Sequence, residues 1–190
     1  ALALQAKKHF DEYGVDATLW VGGVGAYGIN AVADILAGAV NPSGSLVDTY
    51  TYDNYSSPAM QNFVPVQYDG DLTLIPDVAD TYMIYQEGIY VGYKYYETRY
   101  EDFVMGTGNA GEYAYNDDVA FPFGYGLSYS EFEYSDVSLS YDAATTTYTM
   151  KVTVTNTGDV AGKETVQAYV SSPYTQYDID NNVEKASVNL

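Results

Sequence analysis

Cysteine is absent from this sequence. That excludes disulfides, thiolate zinc sites and cysteine nucleophiles together, without fixing a compartment. Histidine is nearly absent too: His9 is the only one, so a histidine-rich metal site is excluded. Basic residues are scarce, with seven Lys and Arg against 26 Asp and Glu and a formal net charge of −19. A chain so acidic is repelled by phosphate backbones and anionic lipid surfaces, which removes nucleic acid and such membranes as partners. No apolar run approaches the roughly 18 residues that a membrane span needs. The opening residues Ala1 to Lys8 lack the basic-then-apolar order of a signal peptide.

What the chain does have is apolar content, 47%, enough to bury a core. It also has 23 tyrosines. Tyrosine joins a flat apolar face to a hydroxyl, which suits strand pairing and also stacking on sugars.

The first third reads as alternating helix and strand. Ala3, Ala6, Phe10 and Tyr13 follow helical spacing and Gly14 is placed to end that helix. Asp16 to Val21 reads as a short strand, followed by a glycine-rich turn from Gly22 to Gly28. Ile29, Val32, Ala33 and Leu36 mark a second helix stopping at Gly38, and Leu46 to Tyr50 reads as another strand after the turn Asn41-Pro42-Ser43-Gly44. This order predicts a mostly parallel sheet covered by helices, an α/β fold. Residues 53–80 read as a long surface excursion punctuated by Pro58, Pro65 and Pro76. Residues 82–104 are aromatic and rich in β-formers, and 106–111 form a glycine-rich loop. After about Ser130 the pattern changes to period two: a strand near Glu133 to Tyr141, then Met150, Val152 and Val154, then Val166, Ala168 and Val170. These three strands open an antiparallel β-sandwich that is incomplete within the sequence.

Gly23-Val24-Gly25-Ala26-Tyr27-Gly28 satisfies G-x-G-x-x-G, and Asp48 lies 20 residues beyond Gly28. That spacing fits a dinucleotide fingerprint, in which helix N–H groups hold pyrophosphate and the acid holds ribose. Against it, a helix precedes the strand that should come first, and the sheet runs out within about two strands. The bland alternative is a turn packing helix against sheet.

Four stretches in series carry a resemblance. Trp20 to Leu46, Glu87-Gly88-Ile89-Tyr90-Val91-Gly92-Tyr93-Lys94-Tyr95-Tyr96, Phe121-Pro122-Phe123-Gly124-Tyr125-Gly126-Leu127-Ser128-Tyr129, and Val154 to Gly162 followed by Val166 to Val170 resemble family 3 glycoside hydrolases of β-glucosidase type. The resemblance implies two parts: residues 1–130 as the C-terminal part of an α/β sandwich domain, and residues 131–190 as the N-terminal part of a fibronectin type III-like domain. It implies retaining hydrolysis of β-glucosides or related β-linked sugars, in which one carboxylate attacks the anomeric carbon and a second carboxyl protonates the leaving oxygen. In the family the nucleophilic Asp belongs to a separate barrel domain and the acid/base Glu lies upstream of the matched segment. Neither transfers onto this chain, which is expected to wall an active site, dock the barrel and be inactive alone, without a cofactor. The tyrosine-rich run Tyr96 to Asp102 resembles the branch in which the barrel comes last. Val24-Gly25-Ala26 and Ser45 depart from the family's usual residues at those turns.

Glu87, Tyr90 and Arg99 are the candidate residues at the rim of the saccharide pocket, with Glu87 alternatively paired to Lys94 or Arg99. Glu97, Arg99, Glu101 and Asp102 make a charged patch read as a solvated loop or as salt bridges. Asp178, Asp180, Asn182 and Glu184 alternate like cation ligands, but Val183 stands where a calcium loop wants glycine, so no metal is expected. Ser43 and Ser128 lack a histidine partner for a hydrolase triad. Two other functional readings remain open on sequence alone: a free-standing carbohydrate-binding module and the dinucleotide-binding domain.

Overall fold

The computed structural model describes residues 12–64, 66–67 and 81–190. In chain order its elements are α1 (Ile29–Leu36), β1 (Tyr50–Thr51), two short 3-10 turns (Asn54–Ser56 and Pro58–Met60), β2 (Val66–Gln67), β3 (Thr81–Tyr82), α2 (Tyr93–Met105), α3 (Tyr115–Asp118), β4 (Val119–Phe121), β5 (Phe132–Asp142), β6 (Thr147–Asn156) and α4 (Gln176–Asp180). They belong to two compact units, one including Val47–Phe123 and Gln167–Leu190, the other Leu19–Leu46 and Gly124–Val166.

In the second unit the glycine-rich turn feeds α1 directly. The Gly28 N–H donates to Val24 O at 2.9 Å, and a Cβ at Gly28 would lie 2.3 Å from that oxygen, so only glycine fits. α1 ends as the sequence predicts. Gly38 takes φ +73°, while the Ala39 N–H donates to Asp34 O and the Gly38 N–H to Ile35 O, closing the last turn as a Schellman motif. Its apolar stripe is only partly covered: Val32 and Ile35 are half-buried, but Leu36 is 73% exposed.

Asn41 gathers the rest of this unit. Its amide nitrogen donates to Ala161 O at 3.1 Å, and its Oδ1 accepts the Ser128 hydroxyl at 2.9 Å and the Tyr129 N–H at 2.8 Å. Next to it, the Leu46 N–H donates to Tyr125 O and the Gly124 N–H to Leu46 O. A Cβ on Gly126 would meet Gly44 O at 2.5 Å.

β5 and β6 form the predicted hairpin, antiparallel from Phe132↔Asn156 to Tyr141↔Tyr148 and Asp142↔Thr147. The register shifts between Ser135 and Ser138, where Asp136 has φ +51°: a bulge. Cross-strand pairs put Tyr134 opposite Val154, Leu139 opposite Met150 and Tyr141 against Tyr148 on one face, with the last two rings 4.6 Å apart. Serines, threonines, Glu133, Asp142 and Lys151 occupy the other face. The apolar face is uncovered, with Leu139 and Tyr148 each 68% exposed. Two strands alone are marginal in water, and this face needs a second layer.

The first unit is built on α2. Thirteen residues without Gly or Pro run from Gly92 (φ +57°) to Gly106 (φ +66°, left-handed), glycines at both ends supplying the backbone turns. The helix buries Tyr96 and Thr98 beside Ala110, Val119, Ala120, Ala186 and Thr51, all under 9% exposed. The last residues of the sequence lie along it. The Thr98 hydroxyl oxygen accepts the Ser187 N–H at 3.0 Å, the Tyr93 hydroxyl oxygen accepts the Leu190 N–H at 2.9 Å, and the Tyr93 ring stacks on Phe123 at 4.7 Å. β1 pairs with β4, and β2 with β3, both antiparallel.

Several expectations are corrected. Among the described residues every sheet is two-stranded and antiparallel, so the mostly parallel sheet is not found. Asp16–Val21 belongs to no strand among the described residues, since a strand exists only through the ladder it forms. β1 starts at Tyr50 rather than Leu46. Val166–Val170 does not join the hairpin; Val170 makes one isolated bridge, to Asn189. Residues 93–105, rich in β-formers, are helical. The helix expected over Ala3 to Tyr13 lies largely outside the described residues; Gly14 has the left-handed φ, +64°, that its predicted role requires.

Gly126→Ala is expected to destabilise the chain by about 1–3 kcal/mol, because the new methyl overpacks the Gly44 carbonyl. Urea unfolding monitored by circular dichroism measures it; an unchanged midpoint would mean that this close approach is not required.

Candidate functional site

An open cleft of about 440 Å³ lies in the first unit, lined in part by α2. Its floor is Arg99. The guanidinium carbon sits 5.4 Å from the centre of the Tyr95 ring and 5.0 Å from that of Tyr113, and Nη2 donates to Ala110 O at 3.1 Å. Tyr95 and Arg99 are one helical turn apart, which brings them to one face of α2. Tyr113 arrives on the glycine-punctuated loop 106–114, whose Gly108 and Gly111 both have positive φ.

The opposite wall is Asp118, at the end of α3. Its Oδ1 accepts the Ser56 hydroxyl at 2.6 Å and its Oδ2 accepts the Tyr113 hydroxyl at 3.2 Å. Glu112 and Asp117 also line the cleft, exposed. Behind it, the Tyr115 hydroxyl donates to Glu97 Oε1 at 2.6 Å and its ring packs against Tyr100 at 5.1 Å. Burial, reinforced by Asp118, holds the Tyr113 phenol well above the usual range, and burial followed by the Glu97 hydrogen bond does the same at Tyr115. These phenols are therefore fixed donors. The cleft offers a planar cation, three carboxylates and aromatic edges, a set able to hold a polar, hydroxyl-bearing ligand.

The three rim candidates are not gathered at one point. Arg99 is in the cleft. Tyr90 is half-buried elsewhere in the unit, its phenol raised chiefly by burial, with Tyr174 and then Glu184 also contributing. Glu87 is half-buried on the approach to α2, its carbonyl accepting the Tyr90 N–H at 2.8 Å. Among the described residues no ion pair joins it to Lys94 or Arg99, because Arg99 turns to the tyrosines instead. Glu97 and Asp102 are bonded locally, to Tyr115 and Thr107, so the charged patch is a set of structural bonds rather than salt bridges.

The remaining candidates have structural partners. Asp178 closes a capping box with Thr175 and receives Lys185 Nζ at 2.6 Å, and these donors, the Lys185 ammonium first, lower its carboxyl to about 2. It belongs to that fold contact rather than to a cation ladder with Asp180, Asn182 and Glu184. Ser128 serves Asn41. Among the described residues no group of three or more His, Asp or Glu gathers in a metal-binding arrangement. The turn Gly23, Gly25 and Gly28 lacks the preceding strand that a dinucleotide site requires, and Gly28 is needed against Val24 O. Asp48 accepts its neighbour's N–H, that of Thr49, at 2.9 Å. Cofactor binding there is not favoured.

Ser56, Glu112, Tyr113 and Asp118 were not singled out by sequence reasoning. They come from two loops and the short α3, and the only local signals are the glycines at 106, 108 and 111 and the acidic pair at the start of α3.

Comparison with known proteins gives a consistent result. Residues 3–93 match the glycosyl hydrolase family 3 C-terminal domain. The thermostable β-glucosidase B of Acetivibrio thermocellus is 37% identical over 142 residues, 74% of this chain and 15% of that protein. The exo-α-(1→6)-L-arabinopyranosidase of Bifidobacterium breve is 36% identical over 148 residues, 78% of this chain and 16% of that protein. The β-glucosidase 3B of Thermotoga neapolitana, solved with α-D-glucose, superposes with a TM-score of 0.55 at 33% identity, covering 83% of this chain and 17% of its own. The chain thus spans roughly one sixth of the length of these relatives.

Raised phenol values favour the folded chain below about pH 10, the ordinary phenol value. As pH rises past that value the unfolded chain releases protons that the folded one keeps, so stability falls. An ultraviolet titration should therefore show a late tyrosinate phase, and Tyr113→Phe and Tyr115→Phe should each shrink it. A single early phase in all three proteins would contradict the buried network.

Proposed function

This chain belongs to glycosyl hydrolase family 3, whose C-terminal domain it carries in part, and from that premise we propose that it is a non-catalytic portion of a retaining glycosidase. The parent acts on β-glucosides or on related glycosides such as α-L-arabinopyranosides. This portion walls one side of the active site and docks the barrel that bears the nucleophilic Asp; the acid/base Glu also lies outside it. Residues 1–130 form the C-terminal part of the α/β sandwich domain, and residues 131–190 begin the fibronectin type III-like domain.

The observation that carries this reading is the identity to β-glucosidases across 74% and 86% of the chain, confined to 15% and 14% of those relatives. Uncovered apolar surface supports it independently. Leu36 on α1, Val104 and Met105 on α2, Leu127, and Val137 and Leu139 on the hairpin are each at least 60% exposed. A folded protein covers such groups, because each large aliphatic side chain contributes about 1.5–3 kcal/mol when buried. Additional polypeptide packed on these faces supplies that cover. Arg99, which lines the cleft, is the rim candidate this reading assigns to saccharide; Glu87 and Tyr90 stay candidates from the sequence, outside that cleft.

The test compares this chain with the same chain extended to its parent reading frame, on p-nitrophenyl β-D-glucoside and p-nitrophenyl α-L-arabinopyranoside. Hydrolysis is expected only from the extended protein, with retention of anomeric configuration in the first product. Turnover by the 190 residues alone would overturn the non-catalytic assignment and make Glu87 the first residue to replace. An extended protein inert on every aryl glycoside would overturn the enzymatic reading itself.

A further inference from the structure

We infer that the Arg99 cleft binds a neutral pyranose ring, an inference that rests on the saccharide reading above and adds to it a specific pocket. The volume, about 440 Å³, lies within the range of small-ligand pockets. Its chemistry is unevenly used. Of the five guanidinium donors of Arg99, one is bonded to Ala110 O. Each Asp118 oxygen accepts one hydroxyl and retains a further lone pair. Glu112 lines the cleft, exposed, without a partner among the described residues. A planar donor fork facing carboxylate acceptors fits adjacent ring hydroxyls, each of which both donates and accepts.

Charge narrows the ligand. Glu112, Asp117 and Asp118 outnumber the single guanidinium, so an anionic sugar is repelled. A cationic ligand finds the Tyr95 and Tyr113 faces already held by Arg99, whose own charge opposes it. A neutral polyol meets neither obstacle. The ring can come from a free monosaccharide or from an oligosaccharide.

The experiment is a titration of the extended protein, labelled with 13C on its tyrosine rings, with glucose, cellotetraose in its non-hydrolysable sulfur-linked form, glucuronate and lysine amide. Tyr113 ring signals, assigned by Tyr113→Phe, should shift saturably with neutral sugar and not with glucuronate or lysine amide. Equal response to glucose and cellotetraose identifies the free monosaccharide; response to cellotetraose alone identifies an oligosaccharide ring. Glu112→Ala, which removes no contact of the fold, and Arg99→Lys, which keeps the charge, should each weaken the affinity roughly tenfold. Three results overturn the inference: Tyr113 signals indifferent to neutral sugars, an equal or stronger response to either charged ligand, or an affinity untouched by Glu112→Ala. Hydrolysis by the same protein is scored separately, so a working glycosidase with a silent Tyr113 sinks the cleft and leaves the enzymatic reading standing.

Discussion

One amide side chain organises the unit that joins the two kinds of pattern in this sequence. Asn41 donates to Ala161 and accepts from Ser128 and Tyr129, so segments 87, 88 and 120 residues further along the chain meet at a single group. An amide is suited to this because it presents a donor and an acceptor in one plane, whereas a carboxylate could not donate to Ala161. The approach also demands small neighbours. Gly162 stands where a Cβ would lie 2.8 Å from the Asn41 nitrogen, and Gly126 where one would lie 2.5 Å from Gly44 O. The turn Asn41-Pro42-Ser43-Gly44 and the run Gly124 to Tyr129 thus form one interlocked contact, which gives a physical reason for their occurring together.

The other unit depends on helix α2 in a different manner. Among the described residues its buried apolar groups are few: Tyr96, Val119 and three alanines. Around it, tyrosine hydroxyls bonded to Glu97, Asp118 and backbone groups do much of the positioning. That arrangement gives the tyrosine excess a role the composition alone does not reveal. These side chains pack by their faces while their hydroxyls direct carboxylates, and the same arrangement clamps Arg99.

Periodicity was legible where an element owes its existence to its own residues. α1 follows from Ile29, Val32 and Leu36 with Gly38 behind them, and the β5–β6 hairpin follows from alternation through Met150, Val152 and Val154. It failed where a partner decides the outcome. Asp16–Val21 and Val166–Val170 have strand character but form no ladder among the described residues beyond the single Val170–Asn189 bridge. α2 was hidden by its tyrosines and valine, which favour strands only when a pleated surface is available. The better signal was the thirteen-residue interval between Gly92 and Gly106, free of Gly and Pro. At the candidate site Arg99 could be picked out from its charge among aromatics. Its companions Ser56, Glu112 and Asp118 could not, since loop closure rather than spacing brings them together.

Apart from Ser56, every lining residue of the Arg99 cleft falls between Tyr95 and Asp118. The contacts that interlock Asn41 fall wholly outside that interval. Substitutions, insertions and deletions in 106–118 can therefore accumulate without touching the Asn41 contact. The cleft and the Asn41 contact are thus built from separate residues, so a side-chain change at an exposed rim position such as Glu112 can be inherited without disturbing that contact.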